Sequence, residues 1–223
     1  MKKNKIFVAC DTNNLQTIKK IIKQTQNSEL NIGYKFGLEF LNSKRGRDFV
    51  SKLKNKITFG DYKLADIPNT CASAIKAVKD LKFNYMTIHI NSGYEALKAA
   101  KAVAGKTKLV GVSVLTSLDD KSLKEIGYNK KLEKIVKQQA ELANKAKLDA
   151  IVCSPMEVNL VRKVFKKEII TPGIRFSSRK DDQKSTMTPK QAYRNGSNWL
   201  VIGRPITKGN IKNNLKNLIN HLK

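Results

Sequence analysis

The chain has 223 residues, 40% of them hydrophobic, enough for one large domain with a substantial core and no need of disulfide or metal staples. Its formal net charge of +26 raises the prospect of nucleic-acid binding, but the basic residues are mostly lysine, spread along the whole length with no dense arm or repeat. No apolar run approaches the roughly 20 residues of a membrane helix, and "MKKNKIFVACD" turns polar too soon for a signal peptide, so a soluble cytoplasmic protein is expected.

The first strand is expected over 5–11, "KIFVACD". A helical pattern follows in "NNLQTIKKIIKQTQN", with Leu15, Ile18, Ile21 and Ile22 on one face. Further strands are expected at 32–37 and at 57–64, "ITFGDYKL". "NTCASAIKAVKDL" then places Ala74, Ile75, Val78 and Leu81 at helical spacing. The order repeats with strands at 85–90, 108–115, 149–154, 168–174 and 199–204, and with helices in "YEALKAAKAVAG" and "NKKLEKIVKQQAELANKAK". Strands alternating with helices pair in parallel and are covered from outside. Eight such units in a chain of this length predict an α/β fold, a (β/α)8 TIM barrel spanning 1–223 as one catalytic domain. An open doubly wound sheet is the alternative.

Cys10, Cys71 and Cys153 are odd in number and widely spaced, with no CxxC pair and with His89 and His221 remote from them in sequence. Neither zinc site nor disulfide framework is expected, only buried free thiols.

Polar residues gather where the strands end: Asp11, Lys35, Asp61 with Lys63, Asn91, Thr116 with Ser117, Arg175 and Arg204. In a barrel these ends form one face, and that face carries the active site. Alternation puts Ile57, Phe59, Asp61 and Lys63 on one side of the third strand. Two lysines and two or three aspartates at one mouth are costly unless paired, so an alternating Lys–Asp array is expected, with one ammonium ready to donate a proton. Asp66 falls beyond the strand, before "IPNT", where a helix cap is the competing reading. "TPGIRF" and "VIGRPI" end the last two strands with glycine and arginine, a pattern suited to phosphate. Between them lies the long polar "SSRKDDQKSTMTPK", from which Gln183 could reach that phosphate.

These residues resemble the orotidine 5′-phosphate decarboxylase family. The resemblance is carried by Asp61, Lys63 and Asp66 with "DIPNT", and by "VACD", "YKFGLEF", "SVLTS", "VCS", "TPGIR", "DQKSTMTP" and "VIGRPIT", in family order across nearly the whole chain. It implies a (β/α)8 homodimer with shared active sites and no metal or organic cofactor, converting orotidine 5′-monophosphate to UMP and CO2 in pyrimidine synthesis. It makes Lys63 the proton donor to C6, with Lys35, Asp61 and Asp66 completing the charged array. It sends Asp66, Ile67 and Thr70 across to the partner's site. Asp11 and Lys35 match ribose contacts, and Thr116 and Ser117 the pyrimidine-recognising segment. Arg175, Gln183, Gly203 and Arg204 match the phosphate set. The chain departs from the family pattern at Ala65, where histidine is usual, and at Gly60 and Tyr62, where aliphatic residues are usual. The competing functions are a Mg2+-dependent sugar-phosphate decarboxylase of the same superfamily and a nucleic-acid-binding protein.

Overall fold

The computed structural model describes residues 4–176 and 186–222. Eight parallel strands close into a barrel in sequence order, β1 pairing with both β2 and β8. They are β1 (Lys5–Cys10), β2 (Asn31–Phe36), β3 (Ile57–Leu64), β4 (Tyr85–His89), β5 (Lys108–Val112), β6 (Ala150–Val152), β7 (Glu168–Thr171) and β8 (Trp199–Ile202). The helices are α1 (Leu15–Thr25), α2 (Leu38–Leu41), α3 (Gly46–Ser51), α4 (Pro68–Ala77), α5 (Tyr94–Val103), α6 (Asp120–Glu125), α7 (Leu132–Lys145), α8 (Val158–Val164), α9 (Pro189–Arg194), α10 (Arg204–Thr207) and α11 (Ile211–Leu222). Among the described residues no helix is long and apolar enough to cross a membrane.

Most strands stop before the polar residues expected at their ends. Strand β5 ends at Val112, and β7 and β8 end at Thr171 and Ile202. Ser113–Leu115, Pro172–Ile174 and Gly203 are therefore loop or helix start, free of the sheet's repeating geometry. Strand β3 departs from a plain strand in another way. Its pairing with β4 runs Gly60 to Met86 and then Leu64 to Ile88, so two extra residues bulge out. Lys63 sits in that bulge with a left-handed φ of 49°.

The barrel interior is filled by aromatic rings. Phe7 stacks on Trp199 at 4.1 Å between centroids, and Phe59 and Tyr85 pack against Phe7. Glu168 closes the lower end: it accepts from Tyr85 Oη at 2.9 Å and Lys108 Nζ at 2.8 Å, with Lys5 Nζ and Trp199 Nε1 at 3.4 Å. Burial would raise the Glu168 carboxyl, but Lys108, Tyr85 and Lys5 outweigh it and hold the group below its ordinary range. The lower end is thus sealed, and solvent reaches the interior from the C-terminal ends of the strands.

The three cysteines are buried free thiols. Two of the family departures are explained by one neighbour. A Cβ on Gly60 would lie 3.0 Å from the Phe83 ring, and Tyr62 meets the same ring edge-on at 5.9 Å. The bare Cα lets Phe83 lie against β3, and Tyr62 covers its side.

Candidate active site

The mouth of the barrel opens into a cavity of about 570 Å³. Ala9, Phe59, Val112, Val152 and Val201 form its apolar floor. Phe59 is the top of the aromatic layer, and Ala9, Val112, Val152 and Val201 are inward positions two residues beyond Phe7, Val110, Ala150 and Trp199 of that core, as alternation along each strand requires. Charged groups rise from this floor on two sides.

One side belongs to β1, β2 and β3. Lys35 Nζ is 2.9 Å from Asp11 Oδ1 and 3.1 Å from Asp61 Oδ2. Lys63 Nζ is 2.8 Å from the same Asp61 Oδ2. The order Asp11–Lys35–Asp61–Lys63 is an alternating array across three neighbouring strands. Gly37 makes room for it, since a Cβ there would lie 2.7 Å from Asp11 Oδ1. Burial alone would push the Asp61 carboxyl up, but Lys35 and Lys63 outweigh burial and hold it below the usual carboxylate range. Burial alone would lower the Lys35 ammonium, but Asp61 and Asp11 hold it above its ordinary value. Both groups are therefore ionised at neutral pH.

The two lysines differ in freedom. The Lys35 side chain is 11% exposed and bonded to two carboxylates, whereas that of Lys63 is 34% exposed and bonded to one. Lys63 is the ammonium with capacity to act on something in the cavity.

Thr87, on β4, was not singled out from the sequence. Its hydroxyl donates to Asp61 Oδ1 at 3.1 Å and accepts from the Lys63 backbone N–H at 2.7 Å. The only sequence signal is a hydroxyl at an inward position between Tyr85 and His89. His89, also inward, is half-buried, and burial and the Lys63 charge lower its basicity.

The other side belongs to β7 and β8. Gly173, Arg175, Gly203, Arg204 and Thr207 line the cavity there. The backbone leaving β7 is pinned by a bridge between Ile174 and Met187, with Arg175 N–H bonded to the Met187 carbonyl at 3.0 Å. The cavity thus has a Lys–Asp end and an arginine end, joined by an apolar floor.

Sequence comparison identifies what carries this arrangement. A model of the "Orotidine 5'-phosphate decarboxylase / HUMPS family" matches residues 4–215. The chain belongs to that family. A relative from Wolbachia sp. subsp. Brugia malayi, named orotidine 5′-phosphate decarboxylase, is 41% identical over 97% of both chains. One of the same name from Sphingopyxis alaskensis is 41% identical over 91% of this chain and 92% of its own. The orotidine 5′-phosphate decarboxylase of Lactobacillus acidophilus has the same fold, with a TM-score of 0.83 at 30% identity and full coverage of both chains. That of Methanocaldococcus jannaschii, at 23% identity, shares the fold with a TM-score of 0.80. By family, the chain is a carboxy-lyase.

The cavity of this decarboxylase-family chain gathers Asp11, Lys35, Asp61, Lys63, Thr116, Arg175, Gly203 and Arg204. It does not gather all the residues expected at the site. Ser117 is exposed and outside the lining, one residue beyond Thr116. Asp66, Ile67 and Thr70 are exposed and outside the lining of their own chain's cavity. Asp66 accepts the Ile67 N–H at 2.7 Å, while the cap position of α4 is Ile67 itself, with no side-chain cap bond. Gln183 lies outside the described residues. Among those residues no group of three or more His, Cys, Asp or Glu is arranged to hold a metal ion.

Proposed function

We propose that this chain removes CO2 from C6 of orotidine 5′-monophosphate to give UMP, the last step of de novo UMP synthesis, with Lys63 protonating C6. The observation that carries the reading is the buried Asp61 carboxylate with two ammonium groups at one oxygen, on the floor of a family member's cavity.

Loss of CO2 from C6 leaves an electron pair in an sp2 orbital with poor delocalisation. The pair must be met by a positive charge already in place. Lys63 supplies it and then its proton, and Asp61 and Thr87 fix its position beforehand, so no reorganisation is needed as charge develops. Lys35, tied to Asp11 and Asp61, keeps the array neutral enough to stay folded. The substrate carboxylate would sit beside Asp61, and their repulsion would relax as CO2 departs. Arg175 and Arg204, with Gly203 beside them, would take the phosphate, and Gln183 would join them. Asp11 and Lys35 would bond the ribose, and Thr116 and Ser117 the pyrimidine. Phosphate binding far from C6 then contributes energy for ordering the charges at the other end. The high net positive charge would speed capture of this anionic substrate.

The reading includes a homodimer. Leu38, Ile67, Leu115 and Met156 are exposed apolar residues that follow the ends of β2, β3, β5 and β6. Such a rim suits the mouth of a second copy, and Asp66, Ile67 and Thr70 would then enter the partner's cavity. The whole chain acts as one cytoplasmic catalytic barrel, without metal, organic cofactor, nucleic acid or membrane.

The deciding assay follows the loss of orotidine 5′-monophosphate absorbance with EDTA present. Turnover that survives chelation is expected. A chain inert toward this substrate, or one that needs Mg2+ and prefers a sugar phosphate, overturns the reading.

A further inference from the structure

We infer that Thr87 is a positioning residue of this site: one hydroxyl orients the Asp61 carboxylate and anchors the backbone of Lys63. The inference rests on the reading of Lys63 as the proton donor.

Thr87 is 1% exposed, in the middle of β4. Opposite it, β3 carries two residues more than β4 between its flanking pairs. A bulge takes the residues within it off the hydrogen-bond ladder. Lys63 lies there, with a positive φ of 49° that is uncommon for a residue other than glycine. Its N–H needs an acceptor, and Thr87 Oγ1 provides one at 2.7 Å, taking the place of a ladder carbonyl.

Accepting that bond leaves the hydroxyl's one proton to point elsewhere. It points to Asp61 Oδ1, at 3.1 Å. With Oδ1 so engaged, Oδ2 is turned to Lys35 and Lys63 together. A single oxygen atom thus links the backbone under Lys63 to the carboxylate that holds the Lys63 ammonium. The side chain is fixed at both its root and its tip. Without the hydroxyl, the bulge would keep its length but lose its tether. Displacement of a reacting group by about 1 Å costs on the order of 10²-fold in rate.

The experiment compares Thr87→Val, which keeps the shape and loses the hydroxyl, with Thr87→Ser, which keeps the hydroxyl. Orotidine 5′-monophosphate turnover, UMP binding and hydrogen exchange of the Lys63 amide are measured on each. T87V should lose about 10²-fold in kcat, with UMP affinity changed less than about threefold. Its Lys63 amide should exchange at least about tenfold faster. T87S should stay within about threefold of wild type in kcat and in exchange. A T87V kcat near that of wild type overturns the proposal. So does a T87S as slow as T87V, or a loss of UMP binding that parallels kcat, since each makes Thr87 a packing residue. Should T87V fail to fold, T87S carries the test alone, and a fall beyond about threefold overturns the proposal. A wild-type chain inert toward orotidine 5′-monophosphate fails the reading of Lys63 instead. The role of the hydroxyl then stands or falls on the exchange of the Lys63 amide.

Discussion

Lys35 Nζ and Asp61 Oδ2 lie 3.1 Å apart with side chains 11% and 10% exposed, a more enclosed ion pair than Lys35–Asp11 or Lys63–Asp61. Removing one partner of a buried pair strands the other and costs about 3–5 kcal/mol. Lys63 still faces Asp61, so Lys35→Met should fall at the lower end, about 3 kcal/mol, in urea unfolding at pH 7. Lys35→Met combined with Asp61→Asn should recover part of that loss. A single variant within about 1 kcal/mol of wild type would mean that water already screens the pair.

The same pair sets a pH window. The Asp61 carboxyl is held below its ordinary value, so its contribution is fully present above about pH 4 and is lost as pH falls through the lower folded value. The Lys35 ammonium is held above its ordinary value, so its contribution is present below about pH 10 and is lost as pH rises through the folded value. The stability difference between wild type and the double variant should therefore be flat across neutral pH.

Glu157 should behave in the opposite sense. Its Oε2 accepts the Ser154 N–H at 3.0 Å in the loop after β6. Burial, with some repulsion from Glu133, outweighs that bond and pushes its carboxyl up to about 7. The folded state then binds this proton more tightly than the unfolded chain. Its contribution is present below about pH 4.5 and is lost as pH rises toward 7, a fall of about 3 kcal/mol. Glu157→Gln keeps an acceptor for Ser154 and cannot titrate. Urea unfolding between pH 5 and 7.5 should show wild type losing stability relative to the variant, and parallel curves would refute this.

Lys63→Ala should lower kcat by at least about 10²-fold while leaving the fold intact, since a positioned general acid alone contributes roughly 10²–10⁴-fold. Single-turnover kinetics are the measure. A fall of less than about tenfold would move proton donation to another group.

Arg204→Ala should weaken binding of orotidine 5′-monophosphate and slow its decarboxylation, yet barely change the slow turnover of the nucleoside without phosphate. Equal losses on both substrates would make Arg204 structural.

Much of this site was legible in the sequence because a parallel barrel converts strand ends into one surface. Asp61 and Lys63 could be placed on one side of β3 from alternation, Asp11 and Lys35 beside them because they end neighbouring strands, and Arg175 and Arg204 from glycine and arginine at the last strand ends. Thr87 could not, because threonine in "YMTIHI" reads as an ordinary β-branched strand residue. Its importance depends on the bulge in β3, which exists only relative to the register of β4. Nor could the strand limits be read: "KLVGVSVL" stays apolar past Val112, where the sheet stops. A role for Asp66, Ile67 and Thr70 in a partner's site was expected only from family resemblance, since nothing in one chain's own sequence says that a residue serves another chain.

The place of Asp66 outside its own cavity supplies the last prediction. Asp66 is exposed and outside the cavity that Lys63 lines. If it completes the partner's site, Lys63→Ala and Asp66→Asn are inactive for reasons that lie in different chains. In a mixed dimer one site receives both defects, and the other has Lys63 and Asp66 intact. With free exchange of subunits about half the dimers are mixed, so roughly a quarter of wild-type activity should return when equal amounts are co-refolded. Native mass spectrometry establishes that mixed dimers have formed. Recovery no greater than the sum of the separate variants would confine Asp66 to its own subunit, where its carboxylate accepts the Ile67 N–H and its carbonyl the Cys71 thiol, contacts that shape the entry to α4.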